Sequence, residues 1–70
     1  MPPEPRNDHL ELLTLAEAAA LLRTPVATLR YWRHLGVGPA SFRIGRRVVY
    51  RRTDLERWVT EQRAAQAGDE

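Results

Sequence analysis

All eleven basic side chains are arginine, and nine of them lie between Arg23 and Arg57 against only Asp54 and Glu56, a net of +7. Residues 1–22 set Arg6 against Glu4, Asp8, Glu11 and Glu17, a net of −3. Residues 58–70 set Arg63 against Glu61, Asp69 and Glu70, a net of −2. A guanidinium is a permanently charged planar fork whose paired N–H donors fit a phosphate or a guanine edge. A GC-rich coding sequence explains why lysine is missing. It does not explain why the charge is gathered in the middle of a chain whose overall charge is only +2.

Other chemistries are poorly provided for. The chain has 70 residues, one domain at most, and at this size folding buries only about 60% of the unfolded surface. A deep catalytic cleft is hard to build on that. The absence of cysteine excludes a disulfide framework and a thiolate zinc site. His9 and His34 are too few for a closed metal site, and His9, beside Asp8, reads as solvent-exposed. No Ser/His/Asp or Cys/His set, phosphate-binding glycine loop or pocketed carboxylate cluster can be assembled, so an enzyme has no support. No apolar run approaches the ~20 residues of a membrane span, and Met1-Pro2-Pro3-Glu4-Pro5 does not open a secretion signal. The expectation is a cytoplasmic, nucleoid-associated protein with no cofactor, metal, membrane or small-molecule effector.

The arginines must be held by something. Residues 1–11, with three of the five prolines, read as a disordered arm, residues 12–66 as the folded domain and residues 67–70 as a flexible tail. Leu10-Glu11-Leu12-Leu13 is either an edge strand or the approach to a helix. Thr14-Leu15-Ala16-Glu17 is a capping box. It opens a first helix over Leu15–Leu22, with Leu15, Ala18, Ala19 and Leu22 on one face. Thr24 reads as the N-cap of a second helix with Pro25 at its first position. That helix ends at Leu35, before Gly36 as a left-handed stop. So short a connection forces a steep crossing, as in a helix-turn-helix.

Beyond Gly38-Pro39, alternation in Ser41–Ile44 and Arg47–Tyr50 around Gly45-Arg46 predicts a β-hairpin with a tight turn. A second capping box, Thr53-Asp54-Leu55-Glu56, predicts a third helix over Asp54–Ala65, with Leu55, Trp58, Val59 and Gln62 facing inward. The fold class expected is mainly α with a small β-hairpin, a winged helix-turn-helix.

On the second helix Val26, Leu29, Trp32 and Leu35 fall on one side and are expected to pack on the first helix and Trp58. The opposite side carries Ala27, Arg30, Tyr31 and His34, with Arg33 at its edge. The second helix of a helix-turn-helix is the one that enters the major groove, so these residues are candidate contacts to base edges and phosphates. His34 could equally serve the helix dipole. Arg46 and Arg47, at or beside the hairpin tip, suit a minor groove or phosphates. Arg43, Arg51 and Arg52 are weaker phosphate candidates that could instead pair with Glu17, Asp54 or Glu56. Trp32, Phe42, Tyr50 and Trp58 are expected in the core.

The segments Leu13–Ala19, Thr28-Leu29-Arg30-Tyr31-Trp32, Gly36, Ile44–Tyr50 and Asp54–Val59, in this order and spacing, resemble the excisionase family of DNA-binding domains. That family is similar in fold to the N-terminal domain of MerR-type regulators. The resemblance implies a winged helix-turn-helix whose second helix reads the major groove through Thr28, Arg30 and Tyr31 and whose wing carries Arg46 and Arg47. It departs from the MerR-type pattern after the third helix, where a few polar residues stand in place of a long dimerisation helix and an effector domain. The expected function is sequence-specific binding to double-stranded DNA as an excisionase-type recombination directionality factor. Such proteins sit side by side on repeated sites and bend DNA for an integrase. A small MerR-like transcriptional regulator would use the same residues. A protein-interaction adaptor on the same fold would show no salt-dependent DNA binding.

Overall fold

The computed structural model describes residues 11–67. Strand β1 (Leu12–Thr14) leads directly into helix α1 (Leu15–Leu21). Helix α2 (Val26–Leu35), strands β2 (Phe42–Ile44) and β3 (Arg47–Arg51) and helix α3 (Arg52–Ala67) come next. Residues 1–10 and 68–70, which hold nearly all of the expected arm and most of the expected tail, lie outside the described residues. Ala67 itself is the last helical residue of α3.

The hairpin forms where the alternation places it, with Phe42 opposite Val49 and Ile44 opposite Arg47. The two residues between are Gly45, at φ +63°, and Arg46, which does not share the left-handed region. A glycine at the first position of a two-residue turn is the II′ arrangement, whose twist matches the strands. The hairpin is not isolated. The chain before Thr14 is an edge strand, pairing antiparallel with β3 through Leu13 opposite Tyr50, so the sheet has three strands in the order β1-β3-β2. Pairing on both sides makes β3 the best-buried strand.

The core is built from Leu13, Ala18, Ala19, Leu29, Tyr50 and Leu55, with Leu15, Leu22, Val26, Trp32 and Val48 packed against it. Small alanines let α1 approach closely, so Leu29 and Tyr50 can be fully enclosed. Trp32 of α2 and Trp58 of α3 meet with ring centroids 5.5 Å apart at 45°, a tilted aromatic contact that joins these helices.

Three expectations about the core are corrected. Leu35 and Val59 are both exposed: Leu35 is the last residue of α2 and outruns the small body it packs on, while Val59 stands at the open rim of a cleft with Leu21, Leu22 and Trp32. Phe42, 42% exposed, sits in a short edge strand, β2, with nothing over its face. Val49 is buried instead, on the face of β3 opposite Tyr50 and between its register partners Thr14 and Phe42.

Helix starts also differ. The α1 capping box is present in full: Thr14 N–H donates to Glu17 Oε1 at 2.9 Å, and Glu17 N–H donates to Thr14 Oγ1 at 3.1 Å. Leu22 is the C-cap of α1, not a helical residue. Thr24 does not cap α2. Its hydroxyl donates to the Leu22 carbonyl at 3.0 Å, which leaves Pro25 in the N-cap position with no side-chain cap. The expected second capping box does not form, because α3 begins earlier, at Arg52. Arg52 N–H donates to the Glu11 carbonyl at 3.0 Å, and its guanidinium holds the Glu11 carboxylate through Nε at 2.8 Å and Nη2 at 3.3 Å. This tertiary partner satisfies the Arg52 N–H, one of the unpaired donors at the start of the helix. It also replaces the pairing of Arg52 with Glu17, Asp54 or Glu56.

Candidate nucleic-acid interface

The turn between α1 and α2 sets the site. Arg23 N–H donates to the Ala20 carbonyl and Thr24 N–H to the Ala19 carbonyl, the paired bonds of a Schellman stop. Arg23 occupies its left-handed position at φ +54°. The chain therefore reverses over Leu22–Pro25, and α2 starts with the Pro25 carbonyl accepting from Thr28 and Leu29 N–H. Leu29 anchors the inner side of α2. Gly36, at φ +77°, ends it, with Val37 N–H donating to the Trp32 carbonyl at 2.9 Å.

With Leu29 inward, Ala27, Arg30, Tyr31 and His34 are all exposed, and Thr28 is half-buried. Arg30 and Arg33 turn toward the wing and share an open groove of about 470 Å³ with Arg47 of β3. Thr14, Leu15, Ala16, Val26 and Val48 complete its walls. Three arginines from α2 and β3 thus line one groove, beside the first turn of α2. No side chain caps that turn, so its positive dipole end adds to the field. Such a groove suits phosphate oxygens.

Arg33 is not free to read a base. Its Nε donates to Ser41 Oγ at 3.2 Å, which ties α2 to the residue before β2. Close by, the Tyr50 hydroxyl is buried next to Ser41 but outside hydrogen-bonding geometry. Burial raises the Tyr50 phenol above its ordinary pKa, while the Arg33 charge and the Ser41 hydroxyl pull the other way without prevailing.

The remaining candidates lie apart from the groove. Arg46 is exposed at the hairpin tip, and Arg43 is exposed in β2 opposite Val48. His34 is exposed in the last turn of α2, a placement that serves both of its readings. Two contributors escaped the sequence pattern. Ser41 has no local signal, since its partner is eight residues away. Leu35 fitted the helical period of the core and yet stands in solvent.

Among the described residues no group of three or more His, Cys, Asp or Glu could hold a metal ion, and no helix is long and apolar enough to cross a membrane. A family model described as a helix-turn-helix domain matches residues 12–63. Neither a curated protein nor a solved structure matches the chain.

Proposed function

The chain belongs to the helix-turn-helix domain family, DNA-binding domains found in excisionase-like proteins, and from that membership we propose that it is a sequence-specific duplex-DNA binder acting as an excisionase-type recombination directionality factor. The observation that carries the reading is the convergence of Arg30, Arg33 and Arg47 on one groove beside the exposed side of α2. In this reading α2 enters the major groove, with Arg30, Tyr31, His34 and the small Ala27 facing base edges. Arg33 and Arg47 hold phosphates, and Arg46, with Arg43 behind it, tracks the neighbouring backbone or minor groove. The role is binding, not catalysis.

One such module covers a few base pairs, too few for selective occupancy by itself. Several protomers side by side on repeated sites would supply the rest through cooperativity. Acidic residues such as Glu17 and Glu61 offer a surface to set against a neighbour's arginines. The bent array would present DNA to an integrase in the excision direction.

If five or six arginines neutralise phosphates, the log–log salt dependence of binding should have a slope of about −4 to −5. Gel shifts on one and on several copies of a selected site should show cooperative filling, and the free protein should sediment as a monomer. Salt-independent binding, or none, would overturn the DNA reading. A stable free dimer protecting one palindrome would replace the excisionase reading with that of a small MerR-like regulator.

A further inference from the structure

Two parallel rows run along the free side of α2, each with one residue per turn. Arg30 and His34 form one row. Ala27, Tyr31 and Leu35, at i, i+4 and i+8, form the other. All five are exposed, with Tyr31 59% and Leu35 52% accessible. The Arg30 row lies on the wing side, where Arg30 shares the groove with Arg33 and Arg47. The Ala27 row lies one residue step further from the wing, toward the side on which Trp32 meets Trp58.

Single exposed apolar side chains are ordinary. A row of three beside a row of donors on the same helix face is a more specific pattern. A helix with its side chains is about 10–12 Å across, and the major groove is about 12 Å wide. A helix seated there touches both walls. When Arg30 addresses one wall, Ala27, Tyr31 and Leu35 are pressed toward the other and lose their water. Donors and acceptors on base edges would be left unpaired against a leucine, at a cost. The one apolar group on a major-groove base edge is the thymine 5-methyl.

We infer that the Ala27–Tyr31–Leu35 row reads thymine 5-methyl groups, which makes Leu35 and Tyr31 specificity-determining residues. The inference rests on the duplex-DNA reading above and adds the base it selects. Arg30 supplies the polar half of recognition and the row supplies the apolar half. Thymines are expected at fixed offsets from the base that Arg30 contacts.

The test replaces each thymidine of a selected site by deoxyuridine, which lacks only the methyl and leaves the protein untouched. Affinity should fall about fourfold for each methyl covered, at one to three positions and nowhere else. With Leu35→Ala the fall should vanish at the position facing Leu35 and persist at the others. Arg30→Ala should leave the methyl dependence intact. If every deoxyuridine site binds like its parent while the salt-dependent affinity remains, the inference is overturned and the DNA reading stands. If Leu35→Ala abolishes cooperative filling of repeats but leaves the methyl dependence unchanged, the row is a protomer contact and the inference is likewise overturned. Loss of all duplex binding by the unmodified protein would instead remove the underlying reading.

Discussion

Arg33 Nε lies 3.2 Å from Ser41 Oγ, and this bond ties α2 to the start of the wing hairpin. The two elements are separated in sequence by the Gly36–Ser41 loop, so a bond across it limits how far they can move apart. Ser41→Ala should cost about 0.5–1.5 kcal/mol. In a domain this small that is a fall of several degrees in melting temperature, since 1 kcal/mol shifts it by about 4–8 °C. An unchanged melting curve would mean that the bond does not hold the two elements together.

The arginines should divide by task. Arg30→Ala should lose about 1–3 kcal/mol at one base position and relax selectivity there. Arg47→Ala should weaken binding evenly across sequences and make the salt slope about 0.9 less steep. Affinities on a selected site and on random duplex at several salt concentrations separate the two. An even loss for Arg30→Ala would make it a phosphate contact and leave base reading to Tyr31, His34 and Ala27.

Tyr50 links pH to stability. Its raised pKa means that the folded state holds the phenolic proton more tightly than the unfolded chain. The contribution is therefore fully present below the ordinary tyrosine pKa of 10.0, and it is lost as pH rises above that value through the folded pKa. Tyr50→Phe should flatten this alkaline fall. At neutral pH it should be neutral or stabilising by up to about 1 kcal/mol, because the deleted hydroxyl is buried without a partner. Denaturant melts of both proteins at pH 7 and above pH 10 decide this. A clear loss at pH 7 would show that the hydroxyl has a partner.

Arg23 holds a left-handed backbone, φ +54°, which costs a non-glycine residue on the order of 1 kcal/mol. Arg23→Gly should therefore raise stability by about 0.5–1 kcal/mol, reduced by the extra freedom glycine gives the unfolded chain. Equilibrium unfolding measures it. A destabilised variant would mean that the Arg23 side chain, which lines the cleft with Trp32 and Trp58, contributes more than the strain it carries.

What the sequence by itself determined are the features that close within about four residues. The Thr14–Glu17 capping box, the Gly36 stop, the Gly45-Arg46 turn and the outward side of α2 all depend on local backbone geometry, which residue type and spacing encode directly. The gathering of charge between Arg23 and Arg57 is legible in the same way. Tertiary structure decided what depends on partners distant in sequence. Glu11 reaches Arg52 across 41 positions and moves the start of α3 ahead of the Thr53 capping box. Leu13 pairs with Tyr50 and turns an ambiguous apolar run into an edge strand. Leu35 keeps the helical period of the core but outruns it, because periodicity gives the direction of a side chain and not whether anything stands there to cover it. For the same reason the joining of Arg30 and Arg33 to Arg47 in one groove could not be read from spacing, since it needs the hairpin folded back beside α2.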